Sequence, residues 1–225
     1  MPTVHYDGVA AWYEQEFRPD PAPEVVDVVS RLVGPGSGPC LDLGCGTGFH
    51  LPLLRELGWT LTGVDLSADQ LRFARERAGD YAELLRADAA DLPLEDGAFD
   101  LVFSAFTHTD MEDFPAVVAE GTRVLRPGGR FVYIGLHPCF VGPHSRFARA
   151  EGVPTLELGY ADTGRYEDAP GLNPAGIRAK VGAMHLMLGD LLQTFLDVGL
   201  QIDAFEEPIC AGRVYPHWLA LRARR

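Results

Sequence analysis

Apolar residues fall along this chain in short blocks that alternate between two periods. Cys40-Leu41-Asp42-Leu43, Trp59 to Val64, Leu84 to Ala87, Phe99 to Ser104 and Arg130 to Gly135 read as strands. Between them lie segments of helical spacing. Leu51, Leu53, Leu54 and Leu57 mark one helix, and Ala68 to Ala78 another, with Leu71, Phe73 and Ala74 on its inner face. Phe114 to Leu125 is a third, ended by Pro127-Gly128-Gly129. Two further helices come first. One covers His5 to Phe17 and stops before Pro19 and Pro21; the other runs from Glu24 to Val33, and Gly34 to Pro39 breaks the chain after it.

Strands that alternate with helices imply parallel βαβ units joined by right-handed crossovers. Their nearly continuous apolar runs fit a sheet covered on both faces. The rhythm fails from His137 to about Ala183, a stretch rich in Gly, Pro and aromatic residues. So long a segment without a period is expected to be a lid or binding element. Regularity returns with a helix near Leu186 to Val198 and two strands, near Gln201–Glu206 and Val214–Leu221, close enough to form an antiparallel hairpin. The expectation is one domain over 1–225: a three-layer α/β sandwich on a seven-stranded, mostly parallel sheet with an antiparallel C-terminal strand. Residues 1–33 would form a helical cover and 137–183 a lid insertion.

Charge narrows the partners. The chain carries 19 Lys and Arg against 32 Asp and Glu, a net charge of −13. A nucleic-acid surface needs the opposite balance, so a small-molecule partner is expected. Hydrophobic residues make up 47%, enough for a substantial core, yet no run approaches the length of a membrane span. The start lacks a secretion signal, and a cytoplasmic protein is expected. Cys40, Cys45, Cys139 and Cys210 show no CxxC or zinc spacing, so reduced thiols and no metal site are expected. Oligomeric state has no sequence signal.

The chemistry sits at strand ends. Leu41-Asp42-Leu43-Gly44-Cys45-Gly46-Thr47-Gly48 places glycine at every second position after the first strand and before a helix. Such a turn lets a ligand approach the backbone, with free N–H groups facing the cleft. Phe49 stands where the dinucleotide fingerprint GxGxxG needs glycine, which argues against an NAD oxidoreductase. Asp65, in Gly63-Val64-Asp65-Leu66-Ser67, closes the second strand, where a carboxylate accepts hydrogen bonds from ribose hydroxyls. Asp88-Ala89 follows the third, placed to read an adenine amino group. Each carboxylate also has a plain structural reading, Asp42 and Asp88 as caps and Asp65 as a solvated strand end.

The motifs LDLGCGTG (41–48), GVDLS (63–67), ADAADLPLEDGAFDLVFS (87–104) and LRPGGRFVYIG (125–135) together resemble the class I S-adenosylmethionine (SAM)-dependent methyltransferases of the UbiE/small-molecule type. The resemblance covers residues 5–136 well and the last 40 more loosely. It implies a Rossmann-like fold and SAM as the cofactor. By that resemblance Asp42, Gly44, Cys45, Gly46 and Gly48 surround the methionine part, Asp65 holds the ribose, Leu66 packs on adenine, and Asp88 with Ala89 reads its amino edge. Ser104 and Ala105 line the inner side, and Tyr13 closes over SAM from the N-terminal helix.

Methyl transfer needs alignment, exclusion of water and removal of any proton on the nucleophile. His108 follows the fourth strand and His137 the fifth, so both are candidate general bases; each could equally bond a backbone carbonyl. Phe106, Phe140, Phe147, Tyr160 and Tyr166 are candidates for an acceptor wall, or for the core of the insertion. The reading is methyl transfer to oxygen, nitrogen or carbon of a small molecule. The alternative is a SAM-binding protein that transfers no methyl group, such as a cyclase or sensor.

Overall fold

The computed structural model describes residues 4–17, 22–145, 159–167 and 176–225. Nine strands and seven α-helices occur among them: α1 (Ala10–Trp12), α2 (Pro23–Val33), β1 (Pro39–Leu43), α3 (Leu51–Glu56), β2 (Thr60–Asp65), α4 (Ala68–Ala78), β3 (Ala82–Arg86), β4 (Phe99–Ala105), α5 (Phe114–Val124), β5 (Leu125–Leu136), β6 (Gly164–Tyr166), α6 (Arg178–Val181), β7 (Ala183–His185), α7 (Leu188–Asp197), β8 (Gln201–Glu206) and β9 (Trp218–Arg224).

Seven strands form one sheet in the order β3-β2-β1-β4-β5-β9-β8. β1 to β5 pair in parallel, and β9 inserts between β5 and β8, antiparallel to both. The reversal of strand order beside β1 opens a crevice at the carboxyl ends of β1 and β4, where open sheets of this type bind ligands.

Alternate residues of the central strands serve opposite cores. Leu101 and Phe103 of β4, with Val132 and Ile134 of β5, meet Val29 and Leu32 of α2 and Leu51 and Leu54 of α3. Val102, Phe131 and Tyr133 turn the other way, toward Phe114 of α5 and Phe195 of α7. Each fully buried side chain of this size contributes about 1.5–3 kcal/mol. This double-sided burial explains why the strands read as nearly continuous apolar runs. α4 is capped where its sequence specifies: the Ser67 hydroxyl accepts from Gln70 N at 3.1 Å.

Two expectations need correction. The Arg126-Pro127-Gly128-Gly129 segment does not separate α5 from the fifth strand. β5 begins at Leu125, which pairs with Phe99, and the register shifts across the segment before Arg130 pairs with Leu101. The proline and glycines sit at an irregularity inside the strand, where missing ladder bonds are tolerated. The N-terminal helix is also shorter than expected: α1 passes into a π-helical turn over Tyr13–Phe17. Within the expected lid, β6 and β7 pair as an antiparallel ribbon. Phe147 lies outside the described residues. No helix among them is long and apolar enough to cross a membrane.

Candidate active site

A cavity of about 610 Å³ opens over the carboxyl ends of β1, β2, β3 and β4. Of the expected cofactor residues, Tyr13, Asp42, Gly44, Cys45, Gly46, Asp65, Leu66, Asp88, Ala89 and Ala105 line it. Ser104 and Gly48 do not. The Ser104 hydroxyl turns into the sheet, donating to the Leu43 carbonyl at 3.0 Å and bonding Thr107 Oγ1 at 2.8 Å. Gly48 serves packing: it has φ +74°, and a Cβ there would lie 2.8 Å from Leu51 Cδ1 and 3.1 Å from Ala74.

The glycine turn is built differently from the simple expectation of free amides. Gly44 N and Cys45 N both donate to the Val64 carbonyl at 2.9 Å, and Gly46 N donates to Asp65 Oδ2 at 2.8 Å. These three N–H groups tie the turn to β2. What the glycines provide is room. Gly44 has φ +74°, and a Cβ there would stand 2.6 Å from Thr107 Cγ2.

Three buried polar atoms that line this end of the cavity lack a hydrogen-bond partner: Asp42 Oδ2, Thr47 Oγ1 and Gln70 Oε1. Buried polar groups are normally satisfied, so their convergence marks a place for a polar ligand. Gln70 Oε1 can only accept, and the Asp42 carboxyl can only accept once ionised, which suits an ammonium group. Burial, then the neighbouring Asp65, pushes the Asp42 carboxyl up to about 8. Burial also raises Asp65, to about 6, although the Ser67 and Gly46 amides favour its charged form. Asp42 would regain its charge beside a cation. Asp88 accepts from Ala90 N at 2.9 Å through one oxygen. The residues therefore fit SAM: a buried, unpartnered carboxylate oxygen at Asp42 and carboxylates at two further strand ends line one cavity.

The far end is walled by Phe106, Leu136, Ile177 and Trp218, while Met111 lies over the glycine turn, its Cε 3.0 Å from where a Cβ on Gly44 would stand. Phe106 has φ +61°, the one non-glycine residue with positive φ among those described, and its ring meets Trp218 edge-on at 6.4 Å. A strained residue here is one the surrounding structure holds in place. Phe140, Tyr160 and Tyr166 are not on this wall. Phe140 packs near Tyr215, and the Tyr160 hydroxyl accepts from Leu188 N at 2.8 Å.

Neither expected histidine reaches the cavity lining. His108 is buried, its Nδ1 bonds the Tyr133 hydroxyl, and burial lowers it to about 3. His137 is also buried. Its Nε2 bonds Glu207 at 2.6 Å, while Nδ1 accepts from Cys139 N at 3.2 Å. His144 and His185 bond the carbonyls of Cys139 and Tyr160 at 3.2 and 2.9 Å, so they hold the insertion together.

Two lining residues, His50 and Arg178, escape sequence reasoning, whereas Tyr6 is expected with Tyr13 in the N-terminal cover. His50 follows the glycine turn and is lowered to about 4 by burial. Tyr6 donates to Asp110 Oδ1 at 3.0 Å, and Arg178 binds the same carboxylate from the expected lid. A contact between residues 68 positions apart leaves no local signal.

Over 198 residues the chain is 31% identical to the ubiquinone/menaquinone biosynthesis C-methyltransferase UbiE of Desulfotalea psychrophila, covering 85% of this chain and 76% of that protein. The chain belongs to the class I SAM-dependent methyltransferases. A methyltransferase-domain model matches residues 41–133, the span that contains the glycine turn and all three strand-end carboxylates. The structure superposes on a SAM-dependent methyltransferase from Mesorhizobium loti with a TM-score of 0.70 and 26% identity, over 97% of this chain and 99% of that one. The malonyl-[acyl-carrier protein] O-methyltransferase of Serratia marcescens is 40% identical over 111 residues, but that match covers 48% of this chain and 43% of the relative. The chain spans about half or less of the length of several such relatives. As in other methyltransferases of this class, the cofactor is SAM.

Proposed function

We propose that this methyltransferase moves the methyl group of SAM to an oxygen, nitrogen or carbon nucleophile of a small molecule bound at the aromatic end of the cavity. The carrying observation is the trio of unpartnered polar atoms on Asp42, Thr47 and Gln70, in one cavity with Asp65 and Asp88. SAM supplies a methyl group on a positively charged sulfonium, open to direct displacement. The chain's own residues bind, align and exclude water. Asp42 accepts the ammonium group, Asp65 the ribose hydroxyls and Asp88 the adenine amine. Phe106, Leu136 and Trp218 keep the opposite wall dry. Proximity and orientation carry the rate in this reading. His108 and His137 take no proton in it, because both are committed to Tyr133 and Glu207.

The N-terminal segment and the segment around α6 form the cover. Tyr6 and Tyr13 come from the first, Ile177 and Arg178 from the second, and all four line the cavity. A small acceptor suits both the enclosure and the charge of −13. Related enzymes are named for both O- and C-methylation, so the relatives do not single out one acceptor atom. Calorimetry with SAM, S-adenosylhomocysteine (SAH) and NAD tests the reading. Binding of the first two and not the third is expected; preferential binding of NAD would end it.

A further inference from the structure

The acceptor end of the cavity has one guanidinium and no ammonium side chain, and that guanidinium is already taken. Arg178 is the only Lys or Arg among the described lining residues. Its Nη1 donates to Asp110 Oδ1, and its Nη2 donates to Asp110 Oδ2 at 3.3 Å and to Thr109 Oγ1 at 2.7 Å. The guanidinium fork is the usual clamp for a carboxylate or phosphate on a ligand. Here a carboxylate of the protein itself fills it. The pair is largely shielded from water, with side-chain exposures of 16% for Arg178 and 24% for Asp110. Removing Asp110 from the fork would leave a poorly solvated charge unpaired, which is costly.

The remaining polar groups point the same way. Tyr6 gives its proton to Asp110, so the Tyr6 oxygen is left with lone pairs and no proton to offer. Glu112 and Asp113 add two more carboxylates to the lining. An anion entering here would meet acceptors and negative charge without a free guanidinium or ammonium group, and the His5 imidazole in the lining already faces a carboxylate, its Nε2 4.0 Å from Glu112 Oε1. A ligand carrying an O–H or N–H would meet a ready acceptor in the Tyr6 oxygen, and the apolar wall of Phe106, Leu136 and Trp218 would take its body.

We propose that the acceptor end selects an uncharged, largely apolar molecule that presents an O–H or N–H to the Tyr6 oxygen, and that it rejects carboxylates and phosphates. This deepens the methyltransferase reading and rests on it for the word acceptor, but the selectivity can be measured without turnover. The probes are 4-butylphenol and 4-butylbenzoate, matched in body and different in charge at pH 7. Each is titrated into the wild-type protein with and without SAH, followed by ligand-observed NMR. The phenol is expected to bind at least about tenfold more tightly, the scale of losing one charge-assisted hydrogen bond. Tyr6→Phe should weaken the phenol by about fivefold or more while leaving the weak benzoate affinity unchanged, a split that a general loss of structure would not give. Asp110→Asn frees the Arg178 fork and should bring the two probes within about threefold of each other. Equal or tighter binding of the benzoate to wild type would overturn the inference, and so would absence of phenol binding up to its solubility limit. SAH is titrated first. Its failure to bind would sink the methyltransferase reading, while the phenol-to-benzoate ratio would still decide this one.

Discussion

Asp42 and Asp65 close neighbouring parallel strands, and only one of them is satisfied. Asp65 accepts from the Gly46 and Ser67 amides at 2.8 and 2.9 Å, whereas Asp42 Oδ2 is buried with no partner. Their mutual repulsion adds to the burial that raises Asp42. The pair stores a demand for positive charge at the bottom of the cavity.

Cofactor affinity should therefore depend on pH. With Asp42 at about 8 in the free protein, binding an ammonium group below that pH must release a proton. The affinity for SAH should rise from pH 6.5 to about 8, by up to about tenfold per unit, and then level off. Calorimetry in buffers of different ionisation heat would report the proton released at pH 7. A flat profile with no proton release would remove Asp42 from the ammonium site.

Asp42→Asn should separate stability from binding. The folded value of about 8 lies above the ordinary 3.8, so the contribution of Asp42 to stability is full below about pH 4. It is lost as pH rises through 8. The asparagine keeps the shape without the charge. At pH 8 the cofactor-free variant should be more stable by at least about 1 kcal/mol, a melting shift of roughly 2–4 °C for a chain of this size. SAH binding should nevertheless be nearly lost. A variant that melts lower at pH 8 would show that Asp42 is ionised and satisfied without ligand.

Asp65→Ala should weaken SAM binding by about 1.5–3 kcal/mol, the range for hydrogen bonds to a charged group. It should also lower the melting point, because the Gly46 and Ser67 amides lose their acceptor. Unchanged affinity with a normal melting curve would show that Asp65 does not hold the ribose.

The buried histidines should govern acid stability rather than turnover. Burial lowers His108 to about 3 and His50 to about 4, from 6.5. Their contributions are present above pH 6.5 and are lost as pH falls toward those values. Replacing His108 or His137 by Gln should change single-turnover methyl transfer by less than about threefold, whereas a true base would cost about 10²–10⁴. A loss of tenfold or more at normal SAM affinity would restore the base assignment.

Much of this arrangement is legible in the sequence, for identifiable reasons. Strands buried on both faces read as apolar runs, and α4 carries its own cap, so the span Ala68–Ala78 is read to the residue. Strand ends fix where Asp42, Asp65 and Asp88 emerge. They do not fix where a side chain turns after the strand. His108 and His137 stand at the expected strand ends, yet their rings bond Tyr133 and Glu207. Ser104 turns to Leu43 for the same reason. The Arg126–Gly129 segment reads as a stop because Pro and Gly break local structure, but pairing with β4 carries the strand through it. The Tyr6–Asp110–Arg178 cluster joins three distant parts of the chain, and tertiary packing alone brings it together.

The central claim is that this cavity binds SAM and passes its methyl group to a small molecule. The most direct measurement incubates the protein with methyl-labelled SAM and a cell extract, then separates small molecules from polymers. The account predicts label in the small-molecule fraction, lost in Asp42→Asn. Label entering only protein or nucleic acid would contradict it. So would a protein that binds SAM yet transfers no label to any fraction.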